Sequence, residues 1–341
     1  MVSRPPEYKP TDSSWTVEFI RKSYDETGVR GAEPTRRWLS LVARSSLSKW
    51  HIKVAFYALP DAENGFAPNA RFLRAYTQED PLRVRFPLYR SDGGSPIEEL
   101  SNITKMQELE AGVHKVRVGD DESLYIYKEI ERPLYVPRDS EVLEQELRNL
   151  QLFPGTEGIA RLVAAVISEN PYQTTNGQDS TTVLRGVLIE YCPNGTLKDA
   201  LQSPRPQMDE RWLVWGLQIA KALAYLHEKG VTHMDLKPAN IVINAEWSTI
   251  VIDISGIGGV TPEWLSPRLR EKADPLSQSL EIRKQNDIWA LGKILFTIAK
   301  VSKSVDKQLL ESVAWAAIQV PVCISLDDII RRLSRVVSGR T

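Results

Sequence analysis

Cysteine is nearly missing from this chain of 341 residues: Cys192 and Cys323 are the only two, so no disulfide framework can hold the fold together. A reducing setting inside the cell, cytoplasmic or nuclear, is the expectation. Long apolar runs are missing too. The stretch Ile294–Ala299 falls far short of the ~18 residues a membrane helix needs, so no membrane association is expected. The first residues, Met1-Val2-Ser3-Arg4-Pro5-Pro6, lack the apolar centre of a signal peptide. An excess of charge of one sign is also absent. A formal net charge of −1 gives no bulk field with which to bind nucleic acid, and no nucleic-acid partner is expected. What remains is an ordinary globular composition, 42% hydrophobic and 26% charged, in a chain long enough for more than one core.

Residues 1–12 are polar and proline-rich and read as a loose tail. Trp15 to Tyr24 and Thr35 to Leu47 carry apolar residues at helical spacing, while Ile52, Val54 and Phe56, and again Val84 and Phe86, alternate as a strand does. The run Ser91-Asp-Gly-Gly-Ser-Pro96 is the strongest linker signal, and residues 1–95 are read as an accessory region without a motif. Beyond it the text becomes strand-rich: Ser123–Ile130 alternates, a helix spans Glu141–Phe153, and Ala160–Ser168 and Thr182–Tyr191 read as strands around a polar hairpin loop. After Asp209 it becomes helical, with Trp212, Trp215, Ile219, Ala222, Leu223 and Leu226 on one face and Gly230 as the C-terminal cap. A small strand-rich lobe before a helical lobe is an α+β arrangement with a cleft between.

The chemistry concentrates in His233-Met-Asp-Leu-Lys-Pro-Ala-Asn240. A carboxylate (Asp235), a cation (Lys237) and an amide (Asn240) fall within six residues, and Asp253 follows Asn240 by thirteen. A strand and a turn between the last two would fold Asp253 back beside Asn240, where both could touch one cation. These are the parts that phosphoryl transfer requires: positioning and charge neutralisation more than covalent chemistry.

At these residues the sequence resembles the eukaryotic protein kinases. His233–Asn240 is similar to the family's HRDLKxxN loop, Val260-Thr-Pro-Glu-Trp-Leu-Ser-Pro267 to its TPEYLAP segment, and Asn286-Asp-Ile-Trp-Ala-Leu-Gly292 to its SDxWSxG helix start. The resemblance implies a bilobal kinase-like fold, with an N-lobe over 96–190 and a shortened C-lobe over 191–341. It implies Mg·ATP as the phosphoryl donor and serine or threonine hydroxyls of a protein substrate as acceptors. Asp235 would then be the base, Lys237 the transition-state cation, and Asn240 and Asp253 the metal ligands. Thr261 would sit at the substrate hydroxyl and Asp287 would brace the loop's backbone. Lys128 stands where the phosphate-anchoring lysine belongs. A buried lysine needs a carboxylate, and Glu146 is the better partner, with Leu150 and Phe153 facing the core beyond it. Glu144 is the alternative, but its register turns Arg148 and Gln151 inward. Ile189 would wall the adenine pocket, and backbone groups of Glu190 and Cys192 would meet the adenine edge.

Several positions depart from the pattern. Glu110–Val118 stands in place of the glycine-rich loop with only Gly112. Met234 replaces an arginine that grips an activation-loop phosphate, and only seven residues separate Asp253 from Thr261, which reads as constitutive geometry. Ile254 and Ser255 replace Phe and Gly after the metal carboxylate, and Arg268 stands where a glutamate pairs with a distant arginine. His233 reads as structural, His51, His114 and His227 as packing or surface, and the tryptophans as core. Beside an active kinase, two readings stay open: a pseudokinase acting as a binding scaffold, and a small-molecule phosphotransferase of the aminoglycoside or choline kinase type.

Overall fold

The computed structural model describes residues 84–90, 94–130, 135–171, 182–204, 208 and 210–339, together with the backbone of four strands before them. The chain divides into two compact units, 1–83 and 84–341. In the first, β1 (Thr16–Ser23), β2 (Trp38–Arg44), β3 (Trp50–Tyr57) and β4 (Arg71–Glu79) form an antiparallel sheet in sequence order. The alternation at Ile52, Val54 and Phe56 accordingly forms a strand. The two segments with helical apolar spacing do not form helices: their apolar clusters are short, and periodicity alone does not separate helix from strand at that length. The polar tail before Thr16 lies outside the described residues.

The second unit opens with an extended stretch in which Val84 and Phe86 form no strand. It is nevertheless tied to the sheet that follows, because the Leu184 amide donates to the Pro87 carbonyl at 2.8 Å and the Tyr89 amide to Thr182 at 3.0 Å. Then come β5 (Ile97–Glu99), β6 (Ile103–Glu110), β7 (Val113–Val118), β8 (Asp121–Glu129), helix α1 (Pro137–Gln151), β9 (Leu162–Glu169) and β10 (Thr182–Glu190). The strands make one six-stranded sheet in the order β5-β9-β10-β8-β7-β6. Its two faces follow from the two-residue period of a strand. Val116, Tyr127, Val166 and Leu188 pack together on one face. Ala165, Leu184, Val187 and Ile189 pack with Leu143, Leu147 and Leu150 of α1 on the other. Since Tyr127 points away from α1, its neighbour Lys128 points towards it. Gly186 sits opposite Glu129, where a Cβ would collide with the Lys128 carbonyl and the Tyr127 ring.

The helical lobe consists of α2 (Leu197–Gln202), α3 (Trp212–Glu228), the hairpin β11 (Ile241–Ile243) and β12 (Thr249–Val251), then α4 (Pro267–Arg270), α5 (Leu280–Val301), α6 (Lys307–Ala317) and α7 (Leu326–Ser338). Helix α3 is buried on nearly all sides, with Trp212 and Trp215 fully enclosed and packed edge to face. Gly230 ends it in the left-handed region, φ +75°. Ser325 caps α7 by accepting from the Asp328 amide at 3.1 Å, and Ile329 and Leu333 turn inward. Not every tryptophan is core: Trp315 is 57% exposed on α6, resting edge-on against Phe296. No helix among the described residues is long and apolar enough to cross a membrane.

Helices α5 and α6 pack tightly at Gly292, where an added Cβ would lie 2.7 Å from the Ala317 Cβ and 2.9 Å from Ile318 Cγ2. Gly292→Ala gains roughly 1 kcal/mol of helix propensity but overpacks this crossing by roughly 1–3 kcal/mol. A net loss in a urea titration is therefore expected; a gain would mean that α6 moves aside without strain.

Candidate active site

Lys128 enters the space under α1 with its ammonium between two carboxylates. It lies 2.6 Å and 2.7 Å from the two Glu146 oxygens and 2.5 Å from Asp253 Oδ1. Glu144, the alternative partner, pairs instead with Arg148 on the exposed side of α1. Glu146 is nearly fully buried, Lys128 mostly so, and the Asp253 side chain is 42% exposed. Burial alone would lower the Lys128 pKa, but Asp253 and then Glu146 outweigh it and hold the lysine well above its usual value. Burial would likewise raise Asp253; the Lys128 charge and hydrogen bond prevail and keep its carboxyl below the ordinary range. Glu146 moves the other way: its burial outweighs the attraction of Lys128, and its carboxyl is raised. One cation thus serves two carboxylates, and the more exposed of the two is the one facing open space.

The residues of the 233–240 loop converge from the other side. Lys237 Nζ lies 2.6 Å from Asp235 Oδ2 and donates to Thr261 Oγ1 at 2.9 Å, while the Thr261 amide donates to Asp235 Oδ1 at 2.8 Å. Asn240 Nδ2 donates to the Asp235 carbonyl at 2.9 Å and to Asp235 Oδ2 at 3.2 Å. The β11–β12 hairpin pairs Ile241 with Val251, and the Ile252 amide donates to the Asn240 carbonyl at 3.1 Å. This is the local fold that carries Asp253 back to Asn240.

The loop's backbone is fixed by Asp287, which is completely buried. Its carboxylate accepts from the His233 and Met234 amides, both at 2.8 Å, and from His227 Nε2 at 2.9 Å. Met234 holds φ +67°, a conformation that L residues rarely adopt, and the Asp287 bond secures it. His233 donates through Nε2 to the Ile252 carbonyl at 2.9 Å, so it ties the loop to the strand before Asp253. His227, read as packing, is buried against Asp287. The Met234 side chain lies in an apolar cluster with Leu265 and Leu269.

A cavity of about 390 Å³ joins these groups: Lys128 and Glu146 on one wall, Asp235, Asn240 and Asp253 on another, and Gly258 and Gly259 at its edge. Ile189, Glu190 and Cys192 are not in its lining. Ile189 is buried at the end of β10 opposite Ile126, and Cys192 lies half-buried just beyond the strand. The Cys192 thiol is pushed up to about 11, chiefly by burial, with Glu190 and Glu246 adding to it. The segment in place of the glycine-rich loop is a tight hairpin. Glu110 pairs with Val113 across Ala111 and Gly112, with Gly112 at φ +73° and its carbonyl accepting from the Glu129 amide at 2.8 Å.

The donor set fits the ligand chemistry of the family. Magnesium keeps its waters and takes one or two protein oxygens beside the phosphates of a nucleotide. Asp253 and Asn240 would supply those oxygens, and Lys128 a cation for phosphate.

The family model of the protein kinase domain matches residues 110–322, more than half of the chain, and the chain belongs to that family. The curated relatives it is similar to are protein kinases of low identity. Mitogen-activated protein kinase kinase kinase 17 of Arabidopsis thaliana is 32% identical over 122 residues, covering 35% of this chain and 33% of the relative. The interferon-induced, double-stranded RNA-activated protein kinase of Rattus norvegicus is 30% identical over 156 residues, covering 41% and 29%. Serine/threonine-protein kinase Nek9 of Mus musculus is 24% identical over 240 residues, covering 64% and 22%. The chain thus matches about a third or less of the length of each of these relatives.

Two residues tied to this site carried no motif: Asn149 on α1 and Arg283 on α5. Asn149 stands on the face of α1 that buries Glu146, Leu147 and Leu150. A weak helix former at a buried position is the signal that could have marked it.

Asp287→Leu removes the acceptor of two backbone amides and a buried histidine. Each orphaned donor costs about 1–3 kcal/mol, so denaturation should show a loss of at least ~3 kcal/mol. A change below 1 kcal/mol in the urea midpoint analysis would mean that the loop holds its strained turn without the carboxylate.

Proposed function

We propose that this chain is an active serine/threonine protein kinase that uses Mg·ATP, and that Asp235, Lys237, Asn240, Asp253, Lys128 and Glu146 carry the reaction. The observation that supports it most directly is that five of these side chains line one cavity and the sixth, Lys237, is bonded to Asp235 beside it, each with a partner that fixes its position. A pseudokinase can keep the fold without keeping this set.

When bound, Mg·ATP supplies the phosphoryl group and a cation that neutralises its developing charge. The residues of the chain do the rest by placement. Asp235 is positioned by the Thr261 amide and by Asn240 to orient a substrate hydroxyl and accept its proton. Lys237, bonded to both Asp235 and Thr261, keeps a positive charge at the point of transfer. Glu146 keeps the Lys128 ammonium in place, where it would meet phosphate oxygens of a bound nucleotide. Asp253 and Asn240 are the residues that would hold the metal. Thr261 lies at the acceptor end, and Ile189, Glu190 and Cys192 are assigned to the adenine end, beyond the cavity that holds the charged groups. The acceptor is a protein serine or threonine. Lys237 two residues after Asp235 supports that choice over tyrosine.

The tight Ala111–Gly112 turn favours the scaffold reading, since a hairpin with one glycine offers few backbone amides to phosphates. Thermal unfolding separates the two. At a hundred times its dissociation constant a ligand stabilises by about 2.7 kcal/mol, a shift of several degrees for a domain of this size. Mg·ATP should raise the midpoint of the wild type and leave Asp253→Ala unmoved; no shift at millimolar Mg·ATP would establish the scaffold reading. Asp235→Asn should retain the shift while its phosphotransfer rate falls by at least ~100-fold, and an undiminished rate would remove Asp235 as the base.

A further inference from the structure

The segment after Asp253 is gripped along its whole backbone by side chains from two helices. Asn149 Nδ2 on α1 donates to the Ile254 carbonyl at 2.6 Å and to the Ser255 carbonyl at 3.2 Å. Arg283 Nη2 on α5 donates to the Gly256 carbonyl at 2.8 Å, and Arg138 Nη2 at the start of α1 donates to the Ile257 carbonyl at 3.3 Å. Four consecutive carbonyls are therefore held. The segment closes on itself as well, since Ser255 Oγ accepts from the Gly258 amide at 3.0 Å and the Ile257 amide at 3.4 Å. Gly256, at φ +69°, passes so close to the Thr232 carbonyl that any Cβ would strike it. Where a cation could grip a phosphate, Met234 is instead sealed among apolar side chains.

We propose that Asn149 is a positioning residue that keeps α1 and the 254–257 segment assembled without any phosphorylation, with Arg283 and Arg138 as its auxiliaries. The inference rests on the kinase reading above for its effect on rate, but not for its effect on structure. Asn149 follows Glu146 by three residues, so both lie on the same face of one rigid helix and share its position. Ile254 follows Asp253 directly. A bond from Asn149 to the Ile254 carbonyl therefore fixes the distance between the two carboxylates that share Lys128. In a chain with only seven residues between Asp253 and Thr261, backbone carbonyls stand in as the fixed acceptors that a phosphate provides elsewhere. Their grip is permanent, because a carbonyl is not added or removed by a signal.

Amide hydrogen exchange on the ligand-free full chain tests the strap independently of activity. In Asn149→Leu, which keeps the side-chain volume and removes the donor, the Ile257 and Gly258 amides should exchange about tenfold faster while α5 and α6 keep their protection. Phosphotransfer should lose about tenfold or more in kcat with KM for a peptide acceptor unchanged, the signature of a displaced catalytic group. Phosphatase treatment of the wild type should leave both readouts where they were. Should Asn149→Leu fail to fold, Arg283→Met, which alters a half-buried side chain on a different helix, carries the same exchange test. Unchanged exchange at 254–259 in whichever variant folds overturns the strap, as does a wild type whose segment loosens on dephosphorylation. A wild type without phosphotransfer would defeat the kinase reading and leave the exchange result to decide the strap alone.

Discussion

A carboxylate with no access to water has to be surrounded by donors, and at Asp287 that requirement organises the lower half of the site. Its oxygens are met by the consecutive amides of His233 and Met234 and by His227. Two adjacent backbone N–H groups can point at one carboxylate only when the chain turns sharply, which is what the positive φ of Met234 accomplishes. Once that turn is fixed, Asp235 projects into the cavity and Lys237 follows on the same side. His233, whose own amide is one of the two, reaches the Ile252 carbonyl next to Asp253. The buried charge is therefore less a source of stability than a specifier of geometry, in keeping with the ambiguous net value of buried ionic groups.

The upper half depends on a different electrostatic arrangement. Lys128 is drawn to two carboxylates whose backbones belong to separate pieces of structure, α1 and the segment after β12. With water excluded from Glu146, losing the lysine would leave an unpaired buried acid, while Asp253 remains open enough to change partners. That asymmetry suits an arrangement in which one carboxylate stays with the lysine and the other turns to a metal. The sheet determines which face the lysine takes, and α1 determines where the glutamate meets it, so a shift of the helix would disturb both contacts.

Much of this site is legible in the amino-acid sequence, and the reason is locality. The residues Asp235, Lys237 and Asn240 lie within one turn of chain, and the hairpin to Asp253 is short enough to count through. The choice of Glu146 over Glu144 follows from which register buries Leu150 and Phe153, and both are buried. The strands β1 and β2 are not legible in the same way. Trp38, Leu41 and Val42 satisfy a helical spacing and also fit a strand, and what decides between them is pairing with a neighbour. The three residues that grip the 254–257 backbone are hidden for a related reason. Asn149 donates to carbonyls 105 and 106 residues further on, and Arg283 to one 27 residues back, and a carbonyl has no letter in a sequence. Only the improbable placing of an asparagine among buried leucines hints at it.

The departures from the family pattern make sense when taken by chemistry rather than one at a time. Losing the arginine at 234 would leave a phosphate without a grip, but it also frees a site that Leu265 and Leu269 fill with an apolar contact. Replacing glycine by serine after Ile254 removes backbone freedom, but Ser255 Oγ then accepts two amides of its own turn. Both changes exchange an adjustable element for a fixed one. The hairpin at Ala111–Gly112 follows the same direction, with a two-residue turn bound to β8 where a longer loop would bend. On the proposed kinase reading, a segment whose carbonyls are already held by Asn149, Arg283 and Arg138 needs no added phosphate to fix its path.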